Sequence, residues 1–415
     1  MKNSGIEWIG EIPDSWESFR LKDYYVFEKG KNAALYTQEY IGMHSGEYPV
    51  YSGQTEDNGV MGTIASYDYD EKECLFTTTV GAKVMTAKLL SGKFSLSQNC
   101  LIMKQSNNCY NKYIYYYLIP LFDYEKSLIP AYMQPSLRIA DLNKYNFCVP
   151  SITEQQKIAD ILDEKCGKID KLIENEQKQI EKMKEYKQSV ITSAVTKGLD
   201  KSALMKNSGI DWIGEIPESW QLRKLNYCFD LIGSGTTPKS DNEEFYGEEI
   251  AWLQSGDING GYVYKTEKMI VGKAIETYSA LKIYQAPFLT VAMYGASVGN
   301  CSIVKLDAAT NQACCVMSKS KGYLKYLFYC ILAGKIALID LAKGGTQPNI
   351  RQEIIKNFRV PFPLTNEQKE IVDYLDEKRG KIDEVISIKQ RKIEKLQEYK
   401  KSLIYEYVTG KKEVG

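Results

Sequence analysis

Apolar residues recur at heptad spacing between Glu154 and Thr196, at Leu162, Cys166, Ile169, Ile173, Ile180, Met183, Val190 and Ala194, with Lys and Glu between them. The pattern predicts one long amphipathic helix. The segment from Glu367 to Thr409 repeats it without a gap, sharing DEK, GKID, IEK, EYK and a closing VT. Its stripe is Leu375, Ile382, Ile386, Ile393, Leu396, Leu403 and Tyr407. Each helix has one stripe to bury, and the natural partner is the other copy. Fully helical, such a segment spans roughly 60 Å at ~1.5 Å per residue. Gly167 and Gly380 are its candidate break or bend points. Glu176 and Lys389 interrupt the two stripes at equivalent positions, and the preferred reading places both at a solvated edge rather than in a register-setting pair.

A second repeat stands ahead of each helix. MKNSGIEWIGEIPDSW opens the chain and returns at Met205–Trp220, changed only at Glu7/Asp211 and Asp14/Glu218. The chain is thus a tandem duplication of opening motif, module and helix. The modules, Ser15–Pro150 and Ser219–Pro363, read as mixed α/β. Runs such as GEYPVYSG, CLFTTTV, KVMTAKLL and NCLIMK predict strands in the first, and EEIAWLQSG, APFLTVAM and CSIVKL in the second. One helix follows in each, at Asn111–Ile119 and Leu324–Leu332. The tyrosines there are read as half-buried core in preference to a stacking surface. The helices and openings are nearly duplicate while the module interiors share little, which suggests two readers of different targets on one frame. The expected boundaries are 1–150 and 201–363 for the modules with their openings, and 151–200 and 364–415 for the helices.

Composition narrows the possibilities. At 415 residues the chain is too long for one ordinary core, and 44% hydrophobic with 26% charged residues is a soluble globular composition. No run has the ~18 apolar residues of a membrane helix, and the opening lacks a signal-type apolar core. The ten cysteines include no CxxC pair and read as free thiols in a reducing cytoplasm. The single histidine, His44, lies in a polar stretch and reads as a surface residue, which removes His-based triads and zinc sites. Net charge is zero, but Trp220–Pro363 carries about four more basic than acidic side chains and Trp16–Pro150 about one acidic group in excess. Nucleic-acid binding would then rest on local positive loops and on a partner.

Chemical motifs are mostly missing. Gly233–Ser240, GSGTTPKS, imitates a phosphate loop, but Pro238 stands where a glycine N–H is needed. No GxGxxG follows a strand, and no Asn-Pro-Pro-Tyr run of the adenine methyltransferase kind occurs. One aligned polar loop remains, MQPSLR at Met133–Arg138 and TQPNIR at Thr346–Arg351. Its Gln, Asn and Arg side chains either read base edges and phosphates or hold a turn through backbone hydrogen bonds. Gly344–Gly345 gives the second copy a mobile approach. The residues leave three classes open: a DNA-recognition subunit, a coiled-coil scaffold binding proteins or sugars through its modules, and an enzyme with an unrecognised nuclease or nucleotidyl site.

The order SGIEWIGEIP, module, PSITEQQKIADILDEK…IEKMKEYKQSVI, SGIDWIGEIP, module, PLTNEQKEIVDYLDEK…IEKLQEYKKSLI resembles the specificity (S) subunit of type I restriction–modification systems. YPVYSGQTEDNGVMG, AWLQSGDING and GGTQPNIR resemble that family's target recognition domains. The resemblance implies an α/β (α+β) fold with two mixed recognition domains in pseudo-twofold arrangement, separated by two long antiparallel coiled-coil helices. It implies a non-catalytic subunit whose domains each read half of a bipartite, asymmetric target in double-stranded DNA. Two modification (M) subunits carrying S-adenosylmethionine and restriction (R) subunits carrying ATP and Mg are the implied partners, with no cofactor in this chain. The polar residues beside the matched motifs are the expected DNA contacts: Ser52, Gln54, Lys83, Tyr132, Gln134 and Arg138 in the first module, and Thr237, Lys239, Gln254, Ser255, Tyr294, Gln347, Asn349 and Arg351 in the second. Lys182, Lys187, Lys395 and Lys400 on the exposed helix faces are the expected M-subunit contacts.

Overall fold

The computed structural model describes residues 1–54, 57–81, 83–342 and 349–414. The chain folds as two compact units, Met1–Gln177 with Gln390–Gly415, and Lys178–Lys389. Each unit thus holds one module and takes part of both long helices.

The long helices are Ile152–Lys197 and Thr365–Val408. Both run unbroken through Gly167 and Gly380, so neither candidate position breaks its helix. Nothing lies within 4 Å of the Cβ position at either glycine. Helix propagation and stripe burial outweigh the ~1 kcal/mol that each glycine costs. Every predicted stripe position is buried or half-buried.

Within the first unit Lys392 pairs with Glu176 at 2.6 Å and Lys400 with Asp170 at 2.7 Å. Within the second, Lys187 pairs with Asp383 at 2.6 Å and Lys389 donates to Gln179. Rising numbers on one helix meet falling numbers on the other, so the segments pack antiparallel. Glu176 is only 7% exposed, which corrects the solvated-edge reading, and Lys392 supplies its counter-charge. A carboxylate removed from water needs such a cation, and the pair then restricts the register of the seam.

In the first module six strands form a mixed sheet in the order Tyr25–Lys29, Cys100–Gln105, Tyr69–Thr78, Ala87–Leu96, Ser45–Tyr51 and Val60–Ile64. All neighbours are antiparallel except Ser45–Tyr51 beside Ala87–Leu96. The central runs are apolar without alternation because both faces are covered. Leu75, Leu101 and Met103 face the helical side, while Cys74, Phe76, Cys100 and Ile102 join a core on the other. The second module has a five-stranded sheet, ordered Phe229–Gly233, Cys314–Ser320, Phe288–Ala292, Cys301–Val304 and Tyr262–Val263. A three-stranded sheet of Lys268–Ile270, Tyr246–Leu253 and Ala308–Thr310 accompanies it.

The module helices differ in length. The first, Asn111–Ser127, continues past Pro120, whereas the second, Leu324–Ala333, stops before Gly334 and restarts as Lys335–Asp340. A Cβ at Gly334 would meet the Phe358 ring at 2.5 Å, so the glycine lets that ring close on the chain. Tyr113, Tyr116 and Tyr117 are buried on the first helix and Tyr326 and Tyr329 on the second. They are core, and burial pushes the Tyr113 and Tyr326 phenols far above their usual pKa.

Matched hydrogen bonds tie each module to its helices. Gln155 Nε2 donates to the Pro150 carbonyl and its Oε1 accepts from the Tyr110 N–H, at 3.0 and 2.9 Å. Gln368 does the same with Pro363 and Tyr323, both at 2.8 Å. The Trp16 indole donates to Glu154 at 3.2 Å and the Trp220 indole to Glu367 at 3.0 Å. Asp163 accepts from Tyr116 and Lys112, and Asp376 from Tyr329 and Lys325. The ten cysteines are free and buried. Burial pushes the Cys74 and Cys100 thiols up to about 12. Among the described residues no helix is long and apolar enough to cross a membrane.

Because both Gln155 and Gln368 are buried, Gln155→Leu or Gln368→Leu strands one backbone N–H and one carbonyl. Each substitution should lower stability by about 2–4 kcal/mol in urea unfolding, and a loss below ~0.5 kcal/mol would refute this role.

Candidate nucleic-acid interface

In the first module three loops meet at one end of the sheet. The turn after Ser45–Tyr51 carries Ser52 and Gln54. The Ser52 hydroxyl accepts from the Gln54 N–H at 3.3 Å, and Gln54 Nε2 donates to the Val60 carbonyl. A Cβ on Gly53 would lie 3.6 Å from the Val80 carbonyl of the next loop. Val80 bridges Ser136, and Leu137 N–H donates to Thr79 at 2.8 Å, which brings in the third loop. There Tyr132 is 88% exposed, and Gln134 and Arg138 are also exposed. Lys83 is exposed, and its carbonyl accepts from the Thr86 hydroxyl at 2.7 Å. All six expected positions of this module therefore lie on adjoining loops.

Lys88 was not expected and stands among them. Its ammonium reaches the Asn58 carbonyl. Burial, opposed by Cys100 and reinforced by the neighbouring Lys83 charge, holds it below the usual lysine pKa. Two clustered cations at a polar loop end suit a phosphate oxygen. A lysine directly before the apolar pair Leu89–Leu90 in the KVMTAKLL run was the available signal.

The second module assembles the equivalent end with different side chains. Ile350 N–H donates to the Met293 carbonyl at 2.7 Å, matching Leu137 to Thr79 in the first module. This fixes Asn349 and Arg351, both exposed, beside Tyr294. Ser297 Oγ donates to the Ser255 carbonyl at 2.7 Å and thereby joins the Gln254–Ser255 turn. Gln254 N–H is capped by Asp257 at 2.8 Å. Thr237 Oγ1 donates to Gln312 Oε1 at 2.6 Å. Burial, with Cys314 next, raises the Tyr294 phenol pKa, and a hydrogen bond from Gln312 opposes the rise. Gln347 and the Gly344–Gly345 approach lie outside the described residues.

The false phosphate loop has a structural assignment. Its Lys239 N–H donates to the Tyr278 hydroxyl at 3.1 Å and its Pro238 carbonyl accepts from Tyr246 at 2.9 Å. Gly235 is required because a Cβ there would sit 1.7 Å from the Thr310 carbonyl oxygen. The loop is strapped across the Ala308–Thr310 strand and presents Thr237 and Lys239 near the polar end. His44 is exposed and stacks on Tyr40 at 4.1 Å. Among the described residues no group of His, Cys, Asp and Glu is arranged to hold a metal.

The four lysines expected at a partner surface lie apart from these loops. Lys187 and Lys400 are committed to Asp383 and Asp170, whereas Lys182 and Lys395 are exposed. Tyr186 and Tyr399, at equivalent helix positions, are each 55% exposed and were not anticipated.

Two unlike sets of polar loops, each carried on a module clamped by parts of the same two helices, define a duplicated recognition protein. Residues 13–184 and 217–398 match the type I restriction modification DNA specificity domain, and the chain belongs to that family. It is a DNA specificity subunit of a type I restriction–modification system, a non-catalytic component of that enzyme. The chain is 27% identical to the putative type I restriction enzyme MjaX specificity subunit of Methanocaldococcus jannaschii, covering 97% of this chain and 95% of that protein. It is 24% identical to the same organism's type I restriction enzyme MjaVIII specificity subunit, covering 96% and 93%. A solved chain from work on complex assembly and conformational transition of the type I R-M system has the same fold. It aligns with a TM-score of 0.69 at 13% identity, over 96% of this chain and 98% of that one.

Gly235→Ala should force the strap at residues 234–239 off Thr310 and cost about 1–3 kcal/mol. Hydrogen exchange should then accelerate across those residues, and unchanged protection would refute the close approach.

Proposed function

We propose that each module reads one half of a bipartite, asymmetric sequence in double-stranded DNA, that the helix pair sets the unspecified spacer, and that the helices dock two modification subunits. The observation that carries this reading is the contrast within the duplication. Backbone hydrogen bonds at the loop ends repeat, as with Leu137 to Thr79 and Ile350 to Met293. Most of the side chains mounted around them do not repeat: Ser52, Gln54 and Lys83 of the first module have no counterpart among Thr237, Lys239, Gln254 and Ser255 of the second, while Arg138 and Arg351 are shared. A repeated frame with unlike polar surfaces serves two different targets, and bases are read by side-chain donors and acceptors at groove edges.

In this reading residues 1–150 and 201–363 are the readers and 151–200 and 364–415 the spacers. Ser52, Gln54, Lys83, Tyr132, Gln134 and Arg138 face one half-site. Thr237, Lys239, Gln254, Ser255, Tyr294, Gln347, Asn349 and Arg351 face the other. The residue count of the helices makes them a ruler at ~1.5 Å per residue. Lys182 and Lys395, with the exposed Tyr186 and Tyr399, form the modification-subunit contacts. Lys187 and Lys400 act there through the interhelical pairs they hold. Methylation by S-adenosylmethionine belongs to those partners, and ATP and Mg chemistry to restriction subunits, in the cytoplasm. Zero net charge supports shared phosphate binding between this chain and its partners.

The test is single-molecule methylation mapping in cells that make this chain with its modification subunit. A bipartite motif with methylated adenine in each half is expected, and exchanging residues 201–363 for those of another specificity subunit should change only one half. A stable complex that leaves the genome unmethylated would overturn the proposal. Arg138 and Arg351 provide a second test, in which Arg138→Ala or Arg351→Ala should each reduce the salt slope of log affinity by about one if they hold a phosphate. An unchanged slope would remove that arginine from the interface.

A further inference from the structure

We propose that Gln312 is a base-reading residue of the second module, an assignment that rests on the half-site reading above. Gln312 occupies the tight turn between Ala308–Thr310 and Cys314–Ser320, at the sheet end where the polar loops converge. It is exposed, yet its amide is not loose. Thr237 donates to its Oε1 at 2.6 Å, and Met293 N–H donates to the Ala313 carbonyl at 2.8 Å, which sets the turn beside Tyr294. Thr237 and Tyr294 come from two loops distant in sequence, and both are assigned above to the DNA surface.

The chemistry left over is what directs the assignment. A primary amide has two N–H donors and two acceptor lone pairs. After one acceptor site is used by Thr237, an acceptor and an N–H remain together on an exposed group. That pair matches the N7 acceptor and N6 amino donor that adenine presents in the major groove. A glutamine already held in place also loses little rotamer freedom on binding.

The turn itself is part of the duplicated frame. Cys314 pairs with Ala292 as Cys100 pairs with Thr78, and Met293 N–H donates to Ala313 as Thr79 N–H donates to Asn99, both at 2.8 Å. The residue equivalent to Gln312 is Gln98, which is also exposed. Backbone hydrogen bonds hold the turn in both copies, so the Gln312 side chain is not needed to form it.

The experiment compares methylated motifs made by the wild-type, Gln312→Ala and Gln312→Glu chains, each with the modification subunit, alongside thermal melting of each complex. Gln312→Ala should keep the melting temperature and relax one position in one half of the motif, with discrimination at that base falling about 10–100-fold. Gln312→Glu keeps the acceptor for Thr237 but has no N–H, and it should shift the same position toward cytosine, whose amino group is a donor. A Gln312→Ala motif identical to wild type would overturn the proposal. Equal loss of methylation at every site with a lower melting temperature would overturn it too, by making Gln312 a strut for its loops. Absence of a bipartite motif for the wild-type chain would instead remove the half-site reading itself.

Discussion

The buried hydroxyls of Tyr113 and Tyr326 each join three elements of their unit. Tyr113 Oη donates to the carbonyls of Cys148 at 2.9 Å and Val408 at 3.1 Å. Tyr326 Oη does the same with Pro361 at 3.2 Å and Val195 at 3.3 Å. Val408 and Val195 lie in the last turns of the two long helices, where carbonyls have no partner within the helix. One buried hydroxyl thus joins a module helix, the strand that closes the module and the far end of the helix contributed by the other half of the duplication. Neither module can satisfy this site from its own repeat alone. The antiparallel seam is therefore a condition of module folding.

The same duplication separates what must be constant from what can change. Gln155 and Gln368, Trp16 and Trp220, Asp163 and Asp376 all hold equivalent partners. At the loop-bearing end of each sheet the repeated hydrogen bonds are between backbone groups. Backbone bonds tolerate any side chain that the local φ/ψ accepts, so the loops can diverge without losing their scaffold. The aromatic packing around the two opening motifs does differ. Trp8 packs on Tyr117, Tyr124 and Tyr405, while Trp212 stacks on Phe358 with its ring 5.4 Å away.

The long helices and the duplicated openings were legible in the sequence because helix periodicity is a local property and a repeat is visible wherever it occurs. The central strands were legible as apolar runs, although their two-sided burial appeared only with the second core behind the sheet. Uninterrupted helix at Gly167 and Gly380 was not legible, since a glycine's local cost is small against a long packed stripe. The placement of Glu176 was missed for a related reason. A charge in a heptad seam reads as an edge until its cation is known, and Lys392 lies far away in sequence.

What the sequence by itself determined is the tandem order of opening, module and helix, the stripe on each helix and the family. All of these follow from periodicity and identity along one chain. Only the tertiary structure decided which polar residues share a surface, because Thr237, Gln312 and Tyr294 meet through loops with no common sequence signal. It also showed that each unit takes part of both helices, because carbonyls at a helix end must find donors, and the nearest donor in space comes from the other repeat.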